Sequence, residues 1–160
     1  MKRKITLAIL AMIVAVSLAS EPPEESVNLV IKIDREIRSK GLVSINIEML
    51  DDKANAYVAS REQLSDSPEW SGKGKPPLGL EQTLKKAWDE VFKTEINKET
   101  LQLSDIGLFR ITGEEFQNRW FYVVTFKESL PYENGCKYEY PKIYVLMSGA
   151  IIAPMVYPKK

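Results

Sequence analysis

The chain has 160 residues, 22 basic and 22 acidic side chains, one cysteine and no histidine. The missing histidine excludes Ser-His-Asp and Cys-His catalysis, His-ligated zinc sites and the HExxH metallopeptidase. Balanced charge without a dense basic patch gives nucleic acid no electrostatic footprint, and the sequence contains neither a P-loop nor a GxGxxG.

The N-terminus reads MKRKITLAILAMIVAVSLASEPPEE. A basic head, Lys2-Arg3-Lys4, precedes an apolar run from Ile5 to Val16, then small residues and a charged, proline-containing stretch. This is the layout of a secretory signal peptide, with a cut after Ala19 or Ser20. The rival, an uncleaved anchor, needs roughly 20 apolar residues, and this run is shorter. Residues 1–20 are therefore expected to leave, and residues 21–160 to form a single exported α+β domain, periplasmic or secreted, with no stable membrane span. The lost segment carries three bases and no acid, so 19 basic and 22 acidic residues remain, a net charge of −3.

Val27 to Lys40 carries a helical stripe, Val30, Ile33 and Ile37, and ends at Lys40-Gly41. Its first half, Val27, Leu29, Ile31 and Ile33, also alternates as a strand does; the charged tail favours the helix. Val43 to Leu50 alternates, with Val43, Ile45, Ile47 and Met49 on one side. Asp51-Asp52-Lys53 is a turn, and Ala54 to Ser60 returns as a second strand. Residues 27–60 thus make a helix–hairpin unit. Arg61 to Pro77, REQLSDSPEWSGKGKPP, reads as a long loop without regular structure, with Trp70 its one large apolar residue. A loop of this length is often functional or mobile.

Leu80 to Lys93 is the strongest helix, with an apolar stripe of Leu80, Leu84, Ala87, Trp88, Val91 and Phe92. Opposite charges four residues apart, Glu81–Lys85, Lys86–Glu90 and Asp89–Lys93, suit its wet side. Strands are expected at Asp105 to Thr112, Asn118 to Lys127 and Lys142 to Met147. A turn at Ser148-Gly149 leads into a short edge strand, Ala150 to Ala153, which Pro154 ends. The strand RWFYVVTF is apolar on both faces: Trp120, Tyr122, Val124 and Phe126 on one, Phe121 and Val123 on the other. The helix 80–93 is expected over the first face. The second needs a cover from the chain itself, a partner or a ligand.

PLGLEQTLKKAWDEVF, then Ile106-x-Leu108-x-Arg110, the aromatic strand Trp120 to Val124 and the closing IYVLMSGAII together resemble a PepSY-type module. The resemblance covers residues 77–154, roughly half of the mature chain. It implies an antiparallel β-sheet packed by one or two α-helices. Such modules occur in metallopeptidase propeptides and exported bacterial proteins. They often close with an Asp and a Gly; this chain has Ser148-Gly149. Residues 27–60 repeat the order helix, strand, strand, which suggests two diverged units sharing one sheet.

The acid pairs Asp51-Asp52 and Glu114-Glu115 sit in polar connections and read as solvated rather than catalytic or calcium-binding. Cys136 follows Asn134-Gly135, a turn pair, and reads as an exposed free thiol or an intermolecular bridge. Tyr132, Tyr138 and Tyr140 are spaced through a polar connection and, as amphipathic rings, suit an interface. With Trp70, Phe121 and Val123 they form the candidate binding surface. The expected function is an exported, non-catalytic module that binds a protein or peptide, with an inhibitory or regulatory role. The alternative is a small-ligand, lipid or envelope-glycan binder. No cofactor, metal or catalytic residue is assigned, and no nucleic-acid partner.

Overall fold

A computed structural model describes residues 24–50, 53–94, 101–112, 115–128 and 141–158. Two compact units emerge. The first holds residues up to Arg61, a short piece at 112–115 and residues from Pro154 on; the second holds the remainder. The strands fall into two antiparallel sheets rather than one shared sheet, ordered β1-β2-β7 and β3-β4-β5-β6. No helix among the described residues is long and apolar enough to cross a membrane.

In the first unit, α1 (Glu24–Ser39) is a helix throughout, so the strand alternative for its first half is set aside. Glu24 and Glu25 lie in its first turn, where acids suit the helix dipole. The exposed side carries two ion pairs, Asp34–Arg38 and Glu36–Lys40, each at 2.7 Å. Gly41, at φ +73°, turns the chain out of the helix, and its N–H donates to Arg38 O. β1 (Leu42–Met49) and β2 (Lys53–Ser60) form the hairpin. Ile33 and Ile37 pack on Ala54 and Ala56, with Leu29, Leu42, Ile47, Met49, Val58 and Tyr157 around them. The simple alternation expected of β1 fails at Ile45. A bulge between Ser44 and Asn46 makes Ile45 an extra residue, so Leu42 joins Ile47 and Met49 against the helix in place of Val43. The short edge strand expected at 150–153 does stop before Pro154, and the chain then adds a further strand. β7 (Pro154–Pro158) pairs with β2 as an edge strand, the position where a residue lacking N–H is tolerated.

The stretch 61–77 is not wholly irregular: α2 (Arg61–Asp66) is helical. Arg61 to Leu64 are helix-compatible residues, Leu64 is fully buried, and Pro68 forbids continuation. The second unit is built on α3 (Leu80–Val91), β3 (Leu101–Arg110), β4 (Trp120–Glu128), β5 (Lys142–Leu146) and β6 (Ile151–Ile152). The expected helix-on-sheet packing is present. Ala87 and Val91 meet Leu101, Val124 and Phe126, flanked by Leu84, Trp88, Ile106 and Ile143. Trp88 packs edge-on against Phe126, centroids 4.6 Å apart. Buried Thr83 satisfies its hydroxyl by donating to Gly79 O at 3.0 Å. β3 begins at Leu101, four residues before the expected start, because a bulge between Leu103 and Asp105 breaks the alternation that marks a strand in sequence.

The expected charge ladder on α3 is replaced by one pair, Lys93–Glu90 at 2.6 Å. Lys86 instead reaches the turn after β5. Gly149 there has φ +84°, and a Cβ on it would meet Lys86 Cε at 2.6 Å. Gly149→Ala is expected to cost about 1–2 kcal/mol from the left-handed backbone, with only the steric excess relieved by adding Lys86→Ala. Trp88→Ala is expected to lower stability by about 3 kcal/mol, the low end for a large core aromatic because the indole is only half-buried. Denaturant melts check both. A loss below about 1 kcal/mol for Trp88→Ala would mean that the stripe is not the packing face.

Candidate functional site

Three surfaces come into question, and each is set by a local feature of the chain. The first is the connection from Ser67 to Gly79. Asn118, at φ +65°, holds a left-handed turn that asparagine tolerates better than most residues. That turn presents Asn118 O to the Trp70 N–H at 2.9 Å. The Trp120 indole N–H donates to Trp70 O at 2.8 Å, and the Trp70 indole N–H donates to Lys73 O at 2.8 Å. The two rings meet edge-to-face, 5.1 Å apart. The Arg119 guanidinium donates to Ser67 O and lies 3.5 Å from the Glu69 carboxylate. At the far end, Leu78 is buried and its carbonyl accepts from the Tyr122 hydroxyl at 3.0 Å. Trp70 therefore fastens this connection to the sheet, and the tip, Ser71 to Lys75, is its longest exposed run.

The second surface is the β3 edge. Among the described residues β3 has β4 as its only strand neighbour. α3 packs chiefly over β5, with smaller contacts to β4 and β6. On the helix side Leu103 is 39% exposed, and on the other side Phe109 is 49% exposed. Phe109 begins an aromatic row: it stacks on Phe121 at 5.7 Å, and Phe121 stacks on Tyr144 at 5.8 Å. Gly107 clears the way for it, since a Cβ there would meet the Phe109 ring at 2.4 Å. Of the two sequence candidates on this face, Phe121 is buried and Val123 half-buried.

The third is a cleft of about 540 Å³ between α1 and the strand ends, with an apolar floor of Leu29, Ile33, Met49 and Tyr157 and a rim of Glu25, Lys32 and Glu36. The Tyr157 hydroxyl is closed to water and has no hydrogen-bond partner among the described residues.

Tyr132, Tyr138, Tyr140, Cys136, Asp51-Asp52, Glu114 and the leader 1–20 lie outside the described residues. Glu115 is exposed and forms an ion pair with Arg61. No group of three or more His, Cys, Asp or Glu that could hold a metal occurs among the described residues. Sequence reasoning found Trp70 because it is the one large apolar residue of a polar stretch. It missed the β3 edge and Tyr157, since edge status follows from strand order and no local pattern announces it. Comparison with protein-family models, curated proteins and solved structures returned no match. The PepSY-type resemblance rests accordingly on element order and aromatic placement.

Burial holds the Tyr122 phenol above its ordinary value of 10.0. At Tyr157 burial does the same; Glu36 adds to the rise and Lys40 opposes it. Unfolded phenols ionise near pH 10, so above that pH the unfolded chain binds fewer protons than the folded one. Stability from these groups is intact below about pH 10 and is lost as pH rises through the folded values. In an alkaline absorbance titration, Tyr122→Phe and Tyr157→Phe are each expected to remove one late-ionising phenol.

Proposed function

We propose that this chain is an exported, non-catalytic module that binds an extended segment of a protein or peptide along β3. The observation that carries this reading is a ten-residue strand with one strand neighbour among the described residues and with apolar residues, Leu103 and Phe109, exposed towards its two ends. An edge strand offers a row of backbone donors and acceptors, and a guest strand gains affinity from them and specificity from alternate side-chain contacts. Leu103 and Phe109 flank that row on opposite faces, where alternate side chains of a guest would lie. The signal-peptide layout supports export, and the order resembling PepSY-type modules supports a partner-binding role over an enzymatic one. A second reading, a small-ligand binder, is favoured by the cleft under α1, whose volume is in the usual range for such sites.

Peptide selection against the mature chain, followed by amide exchange on the complex, tests the first reading. Bound peptide is expected to slow exchange of β3 amides that exchange fast in the free protein. Leu103→Lys or Phe109→Lys is expected to weaken binding about tenfold or more, the loss of one buried apolar contact. Protection confined to α1, β2 and β7, or binding unchanged in both variants, would overturn the β3 assignment.

A further inference from the structure

The tip of the Trp70 connection reads Ser71-Gly72-Lys73-Gly74-Lys75, and its backbone alternates in hand. Gly72 has φ +83° and Gly74 φ +73°, while Asn118 is the sole non-glycine with positive φ among the described residues. The sign of φ therefore changes at every residue from Ser71 to Lys75. This alternation of sign is what a nest requires, the backbone turn in which successive N–H groups face one side and form a concave anion seat. The glycines are there for that conformation. A Cβ on Gly74 would meet nothing within 4 Å, so packing does not explain the missing side chain.

The donors are available. Lys73 N–H makes one long bond, 3.4 Å, to Ser71 Oγ, and Gly72, Gly74 and Lys75 N–H have no partner among the described residues. Among the described residues neither Lys73 nor Lys75 has an ion-pair partner, and both are exposed. The nearest acid in sequence, Glu69, is engaged by Arg119. The tip is also held in shape. The Trp70 indole binds Lys73 O, and Gly72 lies against Trp120, where a Cβ would come within 3.4 Å of Cζ2. Both ends are tied, by Asn118 to Trp70 and by Tyr122 to Leu78. A seat ordered before binding has less conformational entropy to lose when an anion arrives.

We infer that Ser71–Lys75 is a binding site for a phosphate-type oxyanion, seated on the Gly72, Gly74 and Lys75 backbone N–H groups and neutralised by the Lys73 and Lys75 ammonium groups. A tetrahedral oxyanion has enough acceptor oxygens to take several such donors at once, and charge-assisted bonds are the strong ones. The inference is independent of the β3 edge. The same chemistry is offered by free phosphate and by a phospholipid headgroup, and both are probed.

The test uses the full mature chain at constant ionic strength. Inorganic phosphate is titrated against chloride, read by the amide shifts of residues 72–75 and by tryptophan fluorescence, since Trp70 and Trp120 border the seat. In parallel, vesicles of phosphatidylglycerol are compared with phosphatidylcholine. Saturable shifts at Gly72, Gly74 and Lys75 are expected with phosphate, with phosphatidylglycerol, or with both, and the pattern names the source. Lys73→Gln with Lys75→Gln should weaken binding about tenfold or more. Gly74→Ala, which keeps both charges and has room for its methyl, should weaken it comparably by disfavouring the left-handed residue. The thermal melts of the variants, compared with wild type, separate loss of the seat from loss of the fold. Shifts that never saturate, or binding that falls with the lysines yet is untouched by Gly74→Ala, would overturn the inference and leave only diffuse charge attraction.

Discussion

The second unit depends on one requirement: β4 must be covered along its whole helix-side row. Trp120, Tyr122, Val124 and Phe126 stand in that row, and burying side chains of this size contributes roughly 1.5–3 kcal/mol each. α3, twelve residues long, covers the Val124–Phe126 half through Ala87, Val91 and Trp88. The Trp120–Tyr122 half is covered by Trp70 and Leu78, with Val145 and Met147 beside them. The connection between α2 and α3 is therefore part of the core. Its order comes from β4, and the fixed conformation of its tip follows from that order. Trp120 and Tyr122 each pair an apolar ring over the sheet with a polar atom bonded to the connection's backbone, a role neither phenylalanine nor leucine could fill.

The two sheets treat their edges differently, and this bears on function. β7 has proline at both ends, Pro154 and Pro158, which removes donors from the edge it forms. β3 has no proline. Its protection consists of a bulge near Ser104 and two charges, Asp105 and Arg110. Its length exceeds the ordinary edge strand, and Gly107 leaves the middle of one face without a side chain. Edges of that kind are liabilities unless they are used, so the contrast between β7 and β3 within one chain favours β3 as the working edge.

Most of the second unit was legible in the sequence because its signals are local and strong. The stripe on α3, the double-sided apolar run of β4 and the Ser148-Gly149 turn each stand in one short window, and each appears where expected. What was missed depended on partners elsewhere. α2 was hidden in a proline- and glycine-rich stretch, and it is held by one buried residue, Leu64. β7 was hidden because Pro154, which follows the end of β6, also opens a new strand at an edge, where its missing N–H is tolerated. The bulges in β1 and β3 shift the period by one residue, so alternation counted straight through puts Val43 against the helix in place of Leu42. Of the candidate site residues, Trp70 proved to be an anchor whose binding interest lies in what it positions. Gly72 and Gly74 carried their signal in spacing, Gly-Lys-Gly-Lys, but the sign of φ is not written in composition.

The two units share an order, helix then antiparallel strands, and fill the helix–sheet layer with different apolar residues. Under α1 Ile33 and Ile37 meet Ala54 and Ala56, and Leu42, Ile47, Met49 and Val58 of the sheet surround them. Under α3 the helix offers Leu84, Ala87, Trp88 and Val91, and the sheet meets them with Leu101, Val124 and Phe126. Either arrangement can reach the density of a protein interior, because what matters is the summed volume across the layer. Different sets of apolar residues can therefore fill the two layers equally well. That is a physical reason why the halves show the same element order without residue identity. It also means that a shared order of elements here carries no transfer of site residues from one unit to the other.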